Sequence, residues 1–303
     1  MSLNQSTGTI RIAAILLSLP LFFQILSPAR SEPFVPQRFA VSVEGQGPDV
    51  IMIPGLGSSA EVWRPEARRL SAHYRLHLIQ IAGFAGAPAR VNATPPLLGP
   101  ITDELAAYIR ANGLNRPVVV GHSLGGLLGM MLADKAPDVV GKLVIVDSLP
   151  FFGMLNGPTA TVESVTPVAA QFRDQILSMS QAEYATGQPR TMAILIKSKG
   201  PEAQAALVAS QASDHKVVAL AMYEDFTTDL RPRLSSMKTP TLILYAYDAA
   251  MGLPVAAMDG LYNSAYAALP NKRLARIDNS FHFIQIDQPD AFHAQLEAFL
   301  RSR

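Results

Sequence analysis

Short apolar runs alternate with longer amphipathic stretches along most of the chain. Arg38 to Val43 alternates apolar and polar residues, as a half-buried strand does. Gly45-Gln46-Gly47-Pro48 then supplies a turn, and Val50 to Ile53 is a short buried run, so a hairpin is expected to open the fold. Glu61 to Ser71 has helical spacing, Leu76 to Ile81 predicts a strand, and Ile101 to Ala111 predicts an amphipathic helix. Pro117-Val118-Val119-Val120 is a strand, Leu127 to Lys135 a helix, and Leu143 to Val146 a further strand. Strands that alternate with helices of this length predict an α/β fold with a mostly parallel sheet covered on both faces.

The alternation stops between Ser148 and Lys238. Helix-like stretches at Ala169 to Met179, Pro201 to Ser210 and Lys216 to Phe226 follow one another without a strand, which predicts an inserted helical cap over 148–238 on a core formed by 32–147 and 239–303. The cap is rich in Phe and Met, including Phe151, Phe152, Met154, Phe172, Met179, Met192, Met222 and Phe226. Most of these suit its own core, and the flexible Met side chains also suit a pocket for apolar groups. The sheet pattern resumes at Thr241 to Tyr245, with a helix at Leu261 to Leu269, a last strand at Arg273 to Ile277 and a closing helix at Asp290 to Leu300.

Between the Val118 strand and the following helix lies Gly121-His122-Ser123-Leu124-Gly125-Gly126. A serine on so sharp a strand-to-helix turn is a nucleophile-elbow arrangement, and the glycines two positions either side leave room for the turn. A G-x-S-x-G string arises by chance in about one chain in ten of this length. The strand before it and the helix after it are what give it weight.

Composition removes several alternatives. Lys and Arg total 25 against 24 Asp and Glu, and no basic cluster is interleaved with aromatics, so nucleic-acid binding is not expected. There is no cysteine, which excludes disulfides, thiolate metal sites and cysteine nucleophiles. Near the N-terminus, Ile12 to Leu26 is an apolar run preceded by Arg11 and followed by Ser27-Pro28-Ala29-Arg30-Ser31. It is short for a bilayer span and contains Pro20, so residues 1–31 are expected to be a signal peptide. A mature chain starting near Glu32, periplasmic or extracellular and without stable membrane insertion, is the corresponding expectation, with an uncleaved N-terminal anchor as the alternative.

A serine hydroxyl is a weak nucleophile until a base takes its proton, and the base needs a carboxylate to orient it. Of the six histidines, His73, His77, His122, His215 and His293 fall in or beside predicted elements, where packing or exposure accounts for them. His282 lies in Asn279-Ser280-Phe281-His282-Phe283, just past the last strand, at the sheet edge where ligand groups gather in open α/β folds. It is the expected base. For the acid, Asp248 after the Thr241 strand keeps the chain order Ser, Asp, His and is placed first. Asp147, at the end of the Leu143 strand, is its rival, and Asp278 is nearer in sequence but would have to fold back on its own loop. Oxyanion donors are expected from the backbone N–H of Leu124 and from Leu56 in the loop Pro54-Gly55-Leu56-Gly57-Ser58-Ser59. That loop lacks both the Lys-Ser/Thr of a phosphate cradle and a dinucleotide fingerprint.

Taken together, Pro54 to Gly57 with Trp63, Gly121 to Gly126, Val144 to Asp147, Thr241 to Tyr245 with Asp248, and His282 resemble a capped α/β-hydrolase over essentially the whole mature chain. The resemblance implies a central eight-stranded sheet, a cap inserted after the sixth strand, a cofactor-free Ser-His-Asp triad and an acyl-enzyme intermediate. The reading placed first is hydrolysis of a small or medium, largely apolar carboxylic ester, with lactone, amide or carbon-carbon bond hydrolysis open to the same parts and a non-catalytic homologue that binds a small ligand as the alternative from another class. The chain departs from many relatives in having Pro54-Gly55 for His-Gly, Phe281 for a glycine, and Tyr245-Ala246-Tyr247-Asp248 for Gly-x-x-Asp.

Overall fold

The structure is a computed structural model that describes residues 1–3, 34–157 and 159–302. The N-terminal apolar run and its expected cleavage positions lie outside the described residues. Among the described residues no helix is long and apolar enough to cross a membrane.

Seven strands form one sheet: β1 (Phe39–Gly45), β2 (Asp49–Ile53), β3 (Arg75–Ile81), β4 (Val118–His122), β5 (Lys142–Val146), β6 (Thr241–Tyr247) and β7 (Lys272–Asp278). Their spatial order is β1-β3-β2-β4-β5-β6-β7, parallel throughout except for β1, which runs antiparallel to β3. The resemblance implied eight strands; the described residues contain seven. The expected opening hairpin does not form either, because β3 lies between β1 and β2. β2 is buried along nearly its whole length and pairs with a parallel neighbour on each side, whereas more than half of β1 is exposed and it takes the edge.

Alternation along the central strands sorts their side chains into two cores. Ile51, Ile53, Ile79, Val119, Leu143, Ile145 and Ile243 point to one face, covered by α2 (Leu98–Ala111) and α3 (Leu124–Lys135). Val50, Met52, Leu78, Val120, Val144 and Leu244 point to the other, covered by α1 (Arg64–Leu70), Trp63 and the closing helix Pro289–Arg301 through Phe292 and Leu296. Both faces being dry, these strands read as continuous aliphatic runs, as central parallel strands do.

Between β5 and β6 the chain forms α4 (Val162–Ser178), α5 (Gln181–Leu195), α6 (Pro201–Ala212) and α7 (His215–Thr227). The insertion thus follows the fifth described strand in chain order. Two of its helices begin with capping boxes, Thr161 with Ser164 and Ser180 with Glu183, and Asp214 caps α7. Polar contacts tie these helices to the loops at the carboxyl edge of the sheet. Ser213 Oγ donates to the carbonyl of Gly57 and accepts from the N–H of Ala85 (2.9 and 2.8 Å). The N–H groups of Leu97 and Leu98, at the start of α2, donate to Glu224 of α7.

After β6 the chain continues through α8 (Val255–Ala265), which begins six residues before the expected helix, then β7, a short helix α9 (Ile284–Asp287) and α10 (Pro289–Arg301).

Candidate active site

Ser123 stands between β4 and α3 with φ 53° and ψ −122°, a conformation that costs on the order of 1–3 kcal/mol and persists only where surrounding packing enforces it. The packing here is backbone against backbone. A Cβ on Gly121 would lie 2.1 Å from the carbonyl oxygen of Gly125, and one on Gly125 would lie 2.3 Å from that of Ile53. The glycines flanking the serine are therefore required by contact with the β2 loop and with each other. The elbow also brings Ser123 Cβ and the His122 ring to within about 3 Å of where a Gly55 side chain would begin (3.1 Å and 3.0 Å).

His282 is held at the same edge from two sides. Its Nδ1–H donates to Asp147 Oδ2 at 2.7 Å, and its backbone carbonyl accepts from His122 Nε2–H at 2.9 Å. The His122 and His282 rings lie 4.6 Å apart, centroid to centroid. His122 is fully buried, with its Nδ1 enclosed and without a partner. Burial first, and the neighbouring charge of His282 second, hold its pKa well below the ordinary histidine value, so it is a neutral donor. Among the described residues no hydrogen bond joins Ser123 Oγ to His282 Nε2.

The acid placed first from the sequence is not the one beside His282. Asp147 is, and the reason is register. Val146 pairs with both His122 of β4 and Leu244 of β6, so Asp147 stands one residue beyond the same level as the elbow. β6 runs on to Tyr247, which puts Asp248 three residues past the level of Asp147, about 10 Å along the strand. There Asp248 receives Lys197 Nζ at 2.5 Å and the N–H of Ala250 at 2.8 Å, and Lys197 is the main reason its carboxyl lies below its usual range. Asp248 is thus a clasp between the end of α5 and the sheet. Asp278 ends β7 and pairs with Arg276 on the exposed edge.

Asp147 itself is oriented by groups that the sequence does not signal. Its Oδ1 accepts from the N–H of Ala246 (2.8 Å) and from the hydroxyl of Tyr262 on α8 (3.0 Å), while its own N–H donates to Leu244. Burial, and then the Asp147 charge, push the Tyr262 phenol well above its ordinary pKa, which keeps it a donor. The His282 loop is tied down separately: the N–H of Phe281 donates to Asp287, which also accepts from the N–H groups of Lys197 and Ser198.

Leu124 opens α3, where the first N–H groups of a helix have no partner within it, and Leu56 lies in the turn closed by Ser58 N–H to the Gly55 carbonyl. Neither N–H takes part in the turn and loop backbone bonds around it. Of the remaining histidines, His77 bonds Tyr108 and Asp49, His215 bonds Gln181, and His293 bonds Glu66. Those contacts account for all three. His122 alone differs from its expected role, since it touches the backbone of His282; its place next to the elbow serine is the signal that could have found it.

Known proteins resemble the chain in sequence and in structure. A pimeloyl-[acyl-carrier protein] methyl ester esterase of Vibrio atlanticus (strain LGP32) is 29% identical over 266 residues, covering 85% of this chain and 96% of that protein. In structure, a hydrolase from Pseudomonas aeruginosa PA01 superposes with a TM-score of 0.71 at 20% identity, over 87% of this chain and 94% of the other. The enol-lactonase from Burkholderia xenovorans LB400 does so at 0.70 and 18%, over 87% and 96%. The model of the alpha/beta hydrolase family matches residues 50–295, spanning the elbow, both candidate acids and His282. The chain belongs to the alpha/beta hydrolase family and is a hydrolase.

Proposed function

We propose that the protein hydrolyses a small or medium, largely apolar carboxylic ester through an acyl-enzyme intermediate, with Ser123 as nucleophile, His282 as base and then acid, and Asp147 as the orienting carboxylate. The observation that carries this reading is the 2.7 Å bond from His282 Nδ1 to Asp147 at the edge where Ser123 stands. Donation from Nδ1–H leaves Nε2 unprotonated, so it can accept the Ser123 proton as Oγ attacks the ester carbonyl. The imidazolium that forms is stabilised by Asp147, whose second oxygen is already engaged by Ala246 and Tyr262. The N–H groups of Leu56 and Leu124 would receive the oxyanion, each worth about 3 kcal/mol when pre-aimed. His282 then gives the proton to the departing alcohol. A water, deprotonated by the same nitrogen, attacks the acyl-enzyme and returns Ser123. The similarity to a methyl ester esterase supports an ester as the bond cleaved.

A fluorophosphonate probe tests the nucleophile, and a panel of nitrophenyl esters of increasing acyl length, run beside lactones and amides, tests the bond. Wild type is expected to be labelled and Ser123→Ala to resist, with nitrophenyl esters turned over faster than amides. A wild type that neither reacts with the probe nor cleaves any ester would refute the reading.

A further inference from the structure

Asp225 sits on α7 and is only 7% exposed, yet no hydrogen bond or ion pair engages its carboxyl among the described residues. Its neighbours in sequence are both occupied. Glu224 turns to the N–H groups that start α2, and Phe226 packs on Phe152 and Phe172. Buried polar groups in folded proteins are nearly always partnered, so an unpartnered carboxyl calls for a reason. Neither oxygen is among the fully enclosed atoms that lack partners, so the carboxyl opens on to free space.

The helix gives the direction in which that carboxyl's face looks. Val218, Ala221 and Asp225 share one face of α7 at spacings of three and four. Val218 reaches within 3.7 Å of where a Cβ on Gly57 would stand, which turns that face towards the loop carrying Leu56. Asp225 follows two turns later, about 10 Å along the helix. His282 lies near enough to act on it electrostatically.

We propose that Asp225 is a specificity residue that binds a hydroxyl on the arm of the substrate lying beneath α7. The proposal rests on the ester-hydrolase reading and narrows its substrate to hydroxylated esters. Burial pushes this carboxyl up to about 7, opposed by His282, so near neutral pH both protonation states are populated. A hydroxyl suits both: it donates to the carboxylate and accepts from the acid. A plain alkyl arm would leave the carboxyl desolvated and unpaired, and that contrast is the origin of selectivity.

The test pairs hydroxylated and plain esters on either side of the scissile bond: 4-nitrophenyl 6-hydroxyhexanoate against the hexanoate, and 4-hydroxybutyl acetate against butyl acetate. Wild type is expected to prefer the hydroxylated member of one pair by roughly tenfold in kcat/KM. Asp225→Leu should abolish that preference while still cleaving the plain ester. An unchanged preference, or an equal fall on both members, would overturn the proposal, the latter by showing that Asp225 acts on His282 instead of the substrate. Thermal melts give a readout free of turnover: Asp225→Leu should raise Tm, and a lowered Tm would identify the carboxyl as structural and overturn the proposal. Failure of the ester reading itself is distinct, showing as no turnover of any ester and no fluorophosphonate labelling of wild type, and the melts then decide Asp225 alone.

Discussion

The Nε2–H of His122 donates to the backbone carbonyl of His282 at 2.9 Å, so the residue preceding the elbow serine holds the loop that carries His282. This contact makes the Ser123–His282 relationship partly a property of one strand end. Replacing His122 by Leu removes the donor, and kcat is expected to fall about tenfold with KM little changed. His122→Gln, whose amide N–H reaches a similar point, should recover most of the loss. Active-site titration with the fluorophosphonate separates a slower enzyme from a smaller folded fraction; no difference between the Leu and Gln variants would refute the positioning role.

Asp147→Asn and Asp248→Asn should behave very differently. The first leaves His282 without a carboxylate partner and is expected to lose on the order of a thousandfold in kcat while remaining folded by circular dichroism. The second loosens the clasp to Lys197 and should keep activity within a few-fold of wild type. Steady-state kinetics on a single nitrophenyl ester is sufficient, and the opposite ranking would return the acid role to Asp248.

The glycines of the elbow region can be ranked by what surrounds them. Gly125→Ala would place a Cβ 2.3 Å from the Ile53 oxygen and 2.7 Å from that of Pro54, both rigid backbone, and should destabilise the fold by about 3 kcal/mol. Gly260→Ala, inside α8 with nothing within 4 Å, is the control and should be stabilising by up to about 1 kcal/mol. Urea titrations of both variants check the pair.

Asp225 also leaves a signature in the pH dependence of stability. Its folded carboxyl is held up to about 7 against 3.8 for the free side chain, so between these values the native state binds the extra proton. Its contribution to stability is full below about 4 and is lost as pH rises to 7. Asp225→Asn removes this dependence, so the Tm of the variant relative to wild type should climb from pH 4 to 7 and level off above. A difference independent of pH would show that the carboxyl titrates normally.

Much of the architecture is legible in local pattern. Val118 to Val120 and Leu143 to Val146 are aliphatic because both faces of those strands are buried, and that burial is visible as an unbroken run. Helix α5 was not legible: Gly187 and Pro189 interrupt its pattern, although Ser180 and Glu183 mark its start by a capping box. The pairing of β1 with β3 was not legible either, since a short turn between β1 and β2 suggests adjacency, and only the two-sided burial of β2 opposes it.

The sequence by itself determined that a serine would stand on a strand-to-helix turn, because Gly121 and Gly125 permit it, and that His282 would lie in a loop just beyond a last strand. Which aspartate meets that histidine was decided by tertiary structure alone. Asp147 and Asp248 each follow an apolar strand and look alike locally; the pairing of Val146 with Leu244 leaves β6 three residues longer at that edge, which carries Asp248 past the site and into the reach of Lys197. Strand register is set by hydrogen bonds between segments about a hundred residues apart in the chain, and no window of sequence contains it.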